Sequence, residues 1–424
     1  MSEAPVDVDP LNPPAEQGRF RKRNLVLILP AMLAMYGVYQ GIQQVLLPAQ
    51  VEAIDEAAKV ANLAVLSIVS SVAATIALPL GGAISDRTRS RFGRRAPWLA
   101  VAAVLAAALC VGMGFMASIA GLAIVYGALW FVMNWYQGVI YAVVPDRVPE
   151  RLRGTASSLI GLALPLGVLA AVNVVSRTSQ EVGYLLLAVG LLVATVLFVL
   201  GAPDSSSVDA PHSAARPSGP FLKRVLAQFA SFADRDFTLV FLSRIVFFFG
   251  IFAVQTYTFY IVTDHIGMDN VPLGSAGEAV GLIASVSTVA QVVAVAIVGW
   301  VADKLDRRKL VVGLSSLGMA VGFAIPLLLP TWTGMLIYAV VLGASSGVYF
   351  AVDLALMSLV LPSSGDEGRD LGLLAIATSV PSAFAPAVAA WLILVTTSYS
   401  SLFVFGIAAS VVGGVLVFLV RKIR

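Results

Sequence analysis

The sequence predicts an all-α polytopic membrane protein with twelve transmembrane helices arranged as two six-helix bundles. Three observations support this fold class: an apolar composition, basic residues confined to alternate loops, and landmarks that recur at one fixed offset. Hydrophobic residues make up 59% of the 424 residues and charged residues only 12%, whereas a soluble domain carries about 25% charged residues. The composition therefore excludes an ordinary soluble enzyme.

Twelve apolar segments are long enough to cross a bilayer, which takes about 20 residues each. We predict spans at 24–48, 61–84, 97–117, 121–145, 155–176, 183–201, 237–263, 278–301, 309–329, 333–361, 371–395 and 401–420. The preceding residues 1–23 contain prolines and acids and are predicted to be a disordered N-terminus. The first apolar segment is too long for a signal peptide, so we expect it to be retained.

The basic residues predict the orientation of these spans. With both termini placed on the cytoplasmic side, all basic residues except Lys59 and Arg177 fall on that side. This distribution obeys the positive-inside rule and predicts a multi-pass protein of the cell (inner or plasma) membrane with cytoplasmic termini. Because the basic residues lie in short loops between spans, the bilayer is the expected partner and no nucleic acid is expected.

An internal repeat divides the chain. Three pairs of landmarks are 217 residues apart, and Pro165 and Pro381 are 216 apart. The three pairs are Gly82 with Gly299, Asp86 with Asp303, and Pro145 with Pro362. The repeat predicts an N-terminal bundle over 24–201 and a C-terminal bundle over 237–424. They are joined by a cytoplasmic linker, 202–236, whose second part has the apolar spacing of an amphipathic surface helix.

The loop at residues 81–98 carries five arginines and one aspartate between two apolar spans. A carboxylate such as Asp86 can pair with an arginine, and pairs across the two bundles could hold a cytoplasmic gate shut. The alternative is that the arginines only set the topology. Topology requires neither the aspartate, nor Gly81 and Gly82, nor the weaker copy at 299–309, so we favour a gate.

These residues resemble a known family. Residues 82–87 with 91–95 (GAISDR and RFGRR) resemble the loop signature of the major facilitator superfamily. The longer string 85–98, together with 144–149 and 153–158, resembles its branch of glycoside–pentoside–hexuronide cation symporters and sucrose–proton symporters. The resemblance implies the following gating residues: Asp86, Arg87, Arg91, Arg94, Arg95, Asp146, Arg153, Asp303 and Arg307. The branch prototypes carry acids inside their second and fourth helices, which this sequence lacks, so a sodium site of that type is not expected.

Polar and aromatic side chains follow one stripe of several spans, at the spacing that places residues on one helix face. Such stripes can line a midplane cavity between two bundles, or they can form interhelical hydrogen bonds. The fourth span carries Tyr126 and Tyr141 on its stripe, and the seventh has a cluster at 255–260. We predict these substrate-binding residues: Tyr36, Gln40, Gln43, Gln44, Trp130, Asn134, Gln137, Gln255 and Tyr349.

Charge limits the cargo and the coupling ion. No basic residue lies well inside a span, Arg244 being the nearest, so a neutral sugar or glycoside fits better than an organic acid. Asp353 is the one carboxylate inside a span. A buried acid in a membrane is typically functional, and we expect Asp353 either to couple transport to protons or to fix the tenth helix. Asp264, at the outer end of the seventh span, is expected to be solvated.

The sequence therefore predicts a secondary transporter that acts as a monomer on a small molecule, with a proton as the coupling ion. A drug or metabolite exporter of the same fold and a non-transporting membrane sensor remain alternatives, as does facilitated diffusion without coupling. No phosphate-cradling loop, metal cluster or nucleophile–base pair is present. We therefore expect neither an enzyme nor a cofactor.

Overall fold

The computed structural model describes residues 22–148, 150–204, 206–208, 232, 234–305, 308–360 and 367–421. This part of the chain is helical and contains no strands. Twelve helices follow one another. They are α1 (Lys22–Gly41, continued by Ile42–Leu46 and Leu47–Ile54), α2 (Lys59–Arg87), α3 (Ala96–Gly114), α4 (Ile119–Arg147), α5 (Glu150–Val175), α6 (Gln180–Gly201), α7 (Arg235–Thr256), α8 (Ala276–Leu305), α9 (Arg308–Leu328), α10 (Trp332–Val360), α11 (Glu367–Thr396) and α12 (Ser400–Phe418).

Eleven of these helices are long and apolar enough to cross a membrane within the described residues. In the remaining helix, α5, the described side chains form the apolar stretch Ile160–Val175. The fold class predicted from the sequence is confirmed. The predicted disordered N-terminus falls outside the described residues apart from 22 and 23, as does most of the predicted linker helix.

The same pairs of helices pack in both halves of the chain. In the N-terminal half (α1–α6), α2 packs on α4, α1 on α5 and α3 on α6. In the C-terminal half (α7–α12), α8 packs on α10, α7 on α11 and α9 on α12. Between the halves, α2 packs on α11 and α8 on α5. Each contact thus has a counterpart six helices later, as expected for two copies of one bundle.

Glycines allow the closest of these packings. A Cβ atom at Gly138 of α4 would overlap the carbonyl oxygen of Leu78 in α2. At the equivalent contact, a Cβ atom at Gly343 of α10 would overlap the carbonyl oxygen of Ser287 in α8. Small residues let helix backbones approach closely inside a membrane. Both halves therefore depend on glycine where their second and fourth helices cross.

Helices α1 and α7 share an irregularity at equivalent places. A π-helical turn, Ile42–Leu46, interrupts α1. After Thr256, α7 continues through the short turn Thr258–Tyr260 into a π-helical segment, Ile261–Gly267. π-helical turns are rare and occur frequently at functional sites. Both lie toward the same end of the molecule.

We name the two ends by their charged residues. The arginine end carries the loop between α2 and α3, residues 88–95, and the lysine end carries Lys59 at the start of α2. Toward the lysine end α2 and α8 are largely buried, whereas toward the arginine end their side chains are mostly exposed. The hydrogen bonds described between the two halves lie toward the lysine end. The halves are therefore joined at the lysine end.

Candidate functional site

A network of tyrosines and glutamines joins α1 to α4. The hydroxyl of Tyr36 hydrogen-bonds that of Tyr141. The side-chain amide of Gln137 donates to the Tyr141 hydroxyl over 2.9 Å, and the Tyr39 hydroxyl donates to Gln137 Oε1 over 3.1 Å. Tyr141 remains 39% exposed, so the network lies at an accessible surface. The predicted residues Tyr36 and Gln137 thus come together, while Tyr39 was missed because it lies beside the predicted stripe of α1.

Aromatic rings extend this network. The Trp130 ring meets the Tyr39 ring edge to face at 5.2 Å and the Tyr126 ring at 4.4 Å. Asn134, one turn further along α4, is buried and donates to the backbone carbonyl of Trp130 over 2.9 Å. Of the predicted residues of α4, Trp130 therefore supports the network by packing, whereas the Asn134 amide is bonded to its own helix.

The predicted glutamines of α1, namely Gln40, Gln43 and Gln44, lie one to two turns beyond Tyr36. Gln44 donates to Gln40 Oε1 over 2.8 Å, which orients both amides within one helix. Gln43 is exposed and interacts with the Tyr126 hydroxyl. Together with Tyr36 they form a polar stripe that runs along α1 toward its π-helical turn.

The corresponding surface of the C-terminal half is aromatic and largely apolar. Tyr349 of α10 is buried and stacks on Phe247 of α7 with ring centroids 4.1 Å apart. Phe248 stacks on Phe252 at 5.5 Å and approaches Phe350 at 6.0 Å. Among the predicted residues here, Tyr349 belongs to this cluster.

Two further positions of the C-terminal half complete the predicted set. Gln255 is exposed on α7, one turn beyond the aromatic cluster. Asp353 lies in α10, one turn beyond Tyr349, and its side chain falls outside the described set.

Arg244 of α7 is partly buried, with its guanidinium 5.2 Å from the Phe248 ring and its Nε donating to Thr378 over 3.1 Å. Arg244 is the tenth of the 22 residues of α7 and so lies near the middle of the helix, whereas the sequence had placed it early in the seventh span.

At the arginine end, Arg95 organises the predicted gate. Its side chain is only 3% exposed and forms ion pairs with Asp86 and with Asp146, the latter at 2.8 Å. It also donates to the hydroxyl of Ser85. A fork of guanidinium donors can satisfy several oxygens at once, which lysine cannot do. All of these partners belong to the N-terminal half, although the sequence analysis anticipated pairs across the two bundles.

The other predicted gating residues are distributed around Arg95. Arg87 and Arg91 are exposed, and the Arg91 guanidinium lies 4.8 Å from the Phe92 ring. Arg94 is partly buried. Arg153 and Asp303 lie in α5 and α8 with side chains outside the described set, and Arg307 lies outside the described residues. A pairing with the C-terminal half therefore stays a prediction.

The first residues of the linker also belong to the arginine end, which the sequence did not indicate. Asp204 accepts a hydrogen bond from the backbone N–H of Arg95 over 3.1 Å and pairs with Arg147 at 3.2 Å. Ser207 is buried against the backbone of Ser90. Gly93 has a φ of +85°, and a Cβ atom there would overlap Asp204. The sequence had indicated only that these residues begin a cytoplasmic linker.

At the lysine end, a second charged cluster crosses from one half to the other. Lys59 pairs with Glu52 at 2.5 Å and with Asp264 at 2.8 Å. Asp264 also accepts from the Tyr399 hydroxyl over 2.7 Å, so the expectation that it would be simply solvated is wrong. In the sequence, the one indication of this cluster was that Lys59 is one of the two basic residues that depart from the positive-inside pattern.

Tyrosines of α7 reinforce this junction. The Tyr257 hydroxyl lies 3.1 Å from the carbonyl oxygen of Val60 in α2 and 3.1 Å from that of Pro386 in α11. The Tyr260 hydroxyl donates to the Pro48 carbonyl over 3.1 Å. The sequence had placed both tyrosines in the cluster near Gln255, but they join the halves. Within the described residues, no group of three or more acids, histidines or cysteines could hold a metal ion.

Comparison with known proteins agrees with this architecture. Three solved structures resemble the chain in fold: a peptide transporter, POT, in complex with sulfate (TM-score 0.70, 14% identity, 94% of each chain covered); the nucleoside transporter NupG (0.72, 14%, 93% of this chain and 98% of that one); and a bacterial homologue of the human lysosomal transporter Spinster in an inward-facing, unoccupied conformation (0.65, 12%, 94% and 95%). At these identities the likeness concerns the fold alone.

Among curated proteins, no sequence matches significantly. The family model of the Major Facilitator Superfamily matches residues 31–277 and 270–424, which together span most of the chain. The symporter branch suggested by the loop motifs is not resolved by these matches. With the family model covering both halves and the repeated helix packing described above, the chain belongs to the Major Facilitator Superfamily and is a multi-pass membrane protein.

Proposed function

We propose that the protein is a secondary active transporter that moves a small neutral polar solute, a sugar or glycoside, by alternating access with proton coupling. The arginine end would face the cytoplasm, in agreement with the positive-inside distribution. The conformation, joined at the lysine end, is then the one whose cavity faces inward. The two bundles lie within one chain, which supports a monomer as the working unit.

The tyrosine–glutamine network between α1 and α4 carries this proposal. Hydroxyl and amide groups both donate and accept hydrogen bonds, which suits a solute that presents several hydroxyls. In the network, Gln137 and Tyr141 bond to each other, so a sugar can replace these internal bonds by bonds to itself. The Trp130 and Tyr39 rings supply flat apolar surfaces beside the polar groups, which suits the apolar face of a pyranose.

Proton coupling would rest on Asp353. This residue lies seven positions before the end of α10, about 10 Å along the helix axis, and directly follows the apolar stretch Trp332–Val352. An ionisable residue within a membrane helix is costly and is therefore a candidate for function. It follows Tyr349 of the aromatic cluster by one helical turn, which supports a role near a cargo that bridges both halves.

The phenylalanine cluster favours one alternative within the same fold, namely a drug or metabolite antiporter. Phe247, Phe248, Phe252 and Phe350 form a continuous aromatic cluster, in which Phe350 is 37% exposed. An apolar drug would bind there without using the network on α1 and α4. The two possibilities therefore predict opposite sensitivities: sugar transport depends on Gln137, whereas drug export depends on the phenylalanines.

Transport in proteoliposomes tests the proposal. The purified full-length chain is reconstituted with a pH-sensitive dye inside, and a panel of sugars and glycosides is added outside. We expect the lumen to acidify when a transported solute is added without an imposed gradient. Asp353→Asn should abolish the acidification while leaving solute exchange intact, because exchange does not require net proton movement.

Two glutamine variants serve as a matched pair. Gln137→Ala should raise KM about tenfold or more, since the loss of hydrogen bonds to a bound polar group costs about 1–3 kcal/mol. Gln50→Ala removes a glutamine of α1 that bonds Met113 and Tyr184 outside the network, so it should lower stability without a selective change in KM. If no sugar is transported and a lipophilic dye is expelled instead, the antiporter is the correct reading.

A further inference from the structure

We propose that Lys59 is a positioning residue for the conformational cycle: it forms a reversible ionic latch with Asp264 that holds the two halves together at the lysine end. The inference rests on the proposed alternating-access function, but it concerns the gate and not the cargo. The latch comprises Lys59, Glu52, Asp264 and Tyr399. Each of these side chains has a defined partner in the structure.

The latch joins elements that are otherwise separate in the chain. Glu52 lies at the end of α1 and Lys59 at the start of α2, both in the N-terminal half. Asp264 lies in the π-helical continuation of α7, and Tyr399 lies between α11 and α12. The Lys59–Asp264 contact at 2.8 Å is the ion pair among the described residues that crosses between the halves. Opening this end must break it.

The burial of Lys59 determines how much its ion pair with Asp264 contributes. The Lys59 side chain is only 10% exposed, whereas those of Glu52 and Asp264 are 25% and 31% exposed. The Lys59 ammonium also lies 5.0 Å from the ring of Tyr260, a second contact to the C-terminal half. Exposed ion pairs contribute little because water screens them. A nearly buried ammonium has lost much of its water and depends on its protein partners.

The arrangement also allows the latch to release. When Lys59 and Asp264 separate, Lys59 keeps Glu52 as a partner within its own half. Asp264 keeps the Tyr399 hydroxyl and the hydroxyl of Thr263, which donates to it over 2.9 Å. Neither charge is then left without a partner. The contact therefore biases the equilibrium toward the closed lysine end without making it irreversible, which a transport cycle requires.

Arg177 provides a natural comparison at the same end. It is the other basic residue that departs from the positive-inside pattern, yet its guanidinium bonds only to Asn173 among the described residues, at 2.9 and 3.1 Å. These bonds lie within one half and need not break when the halves separate. The Asn173 amide nitrogen also donates to Ser285 of α8, and a change at Arg177 leaves that donor in place. A change at Arg177 alters charge at this end to the same extent as a change at Lys59 but leaves the latch intact.

Thiol labelling tests the latch without knowledge of the cargo. Ser176, at the end of α5, is buried against Gly277 and Gly281 of α8, so Ser176→Cys should react only when the halves separate. Cys110 is the one native cysteine and is buried, so its labelling reports unfolding. Purified full-length protein carrying Ser176→Cys is treated with a maleimide, and labelling at both positions is measured by mass spectrometry.

Lys59→Gln and Asp264→Asn should each increase the labelling of Cys at 176 by on the order of five- to tenfold, with Cys110 unreactive. The double variant should label no faster than either single variant, because both remove the same contact. Lys59→Arg should stay near the parent, and Arg177→Gln should not increase labelling. Equal rates in the parent and in Lys59→Gln, or additive effects in the double variant, would overturn the latch.

A second measurement guards against variants that fold poorly. A Cβ atom at Gly281 lies 3.4 Å from the Ser176 Cβ, close to the 3.5–4.5 Å of a disulfide. The Ser176→Cys/Gly281→Cys pair should oxidise readily in the parent and several-fold more slowly with Lys59→Gln. If oxidation is unchanged while Cys110 stays protected, the latch is refuted whether or not a sugar is the cargo.

Discussion

The two ends of the molecule hold their charges in different ways. At the arginine end, Arg95 binds Asp86 and Asp146, and these three residues belong to the N-terminal half. At the lysine end, Lys59 binds one acid from each half. An ion pair within one half moves as a unit with its bundle, whereas a pair between halves forms and breaks as they move. The described ion pairs of Arg95 can therefore persist while the halves move, whereas the proposed latch at Lys59 forms and breaks with that movement.

This difference has a consequence for how mutations act. Breaking a permanent cluster changes the free energy of folding, and both conformations lose it equally. Breaking an exchangeable contact changes the equilibrium between two folded conformations, because only one of them contains it. Variants at the two ends of the molecule separate these two behaviours.

Arg95→Ala should have the largest effect. The guanidinium is nearly buried and its removal leaves Asp86, Asp146 and the Ser85 hydroxyl without their donor. Removing one partner of a buried pair costs about 3–5 kcal/mol. We expect about 2–4 kcal/mol because both acids remain partly in water. The measurement is thermal unfolding in detergent, where the melting temperature should fall by several degrees.

Arg91→Ala is the matched control for this prediction. Arg91 lies in the same loop but is exposed, so its loss should change the melting temperature by at most about 1 °C. Arg95→Lys should be intermediate, since lysine keeps the charge and loses the fork of donors. If Arg95→Ala instead left stability unchanged and altered only the balance of conformations, the cluster would be an exchangeable gate like that at the lysine end.

Gly93→Ala should have the next largest effect, again at the arginine end. A φ of +85° is unfavourable for alanine by about 1–2 kcal/mol, and the added Cβ atom would displace Asp204. The melting temperature should fall by a few degrees. Gly161→Ala is the control, because a Cβ atom there meets nothing within 4 Å. Equal melting temperatures for the two variants would show that the linker is not fixed at Gly93.

Asp204→Asn should have a smaller effect and refines the role of the linker. The amide retains an acceptor for the Arg95 N–H but loses the charge opposite Arg147. We expect a loss of about 1 kcal/mol, in keeping with a charge-assisted hydrogen bond made neutral. Because the contact lies at the permanent cluster, labelling of the Ser176→Cys reporter should not change. Increased labelling would instead link the linker to the conformational equilibrium.

The fold could be predicted from the sequence because hydropathy, basic residues and the 217-residue repeat depend on local composition. The predicted stripes of α1 and α4 also come together, since residues at helical spacing share one face of each helix. The contacts between the halves could not be predicted. Lys59 and Asp264 are distant in the chain and meet only through the relative placement of two bundles, which no periodicity encodes.

Irregular backbone explains other departures. Tyr257 and Tyr260 follow the break after Thr256, where α7 no longer keeps α-helical spacing. The cluster predicted at 255–260 therefore grouped them with Gln255, although their hydroxyls join the two halves. Asp204 was missed for a different reason: a Ser- and Pro-rich composition predicts a linker, but a single acid beside two arginines suffices to fix its first residues.

His265 gives the smallest and last test, and it concerns pH. Burial beside Phe403 disfavours the charged imidazole and lowers the pKa of His265 below its ordinary value of 6.5. The unfolded chain then binds a proton more readily than the folded one as the pH falls through about 6.5. Stability is therefore greatest above that pH and decreases on acidification. His265 adjoins Asp264, so the effect belongs to the lysine end.

We expect the melting temperature to fall by about 1–3 °C between pH 7.5 and pH 5.5 through this group, and His265→Gln should reduce that difference. The chain contains only one other histidine, His212, so His212→Gln is the control. The direction of this change follows from the lowered pKa of His265. If the nearby carboxylate of Asp264 instead raised that pKa, the folded protein would become more stable as the pH falls. An increase in melting temperature on acidification, lost in His265→Gln, would mean that Asp264 holds the imidazolium and that the latch contains a second cation.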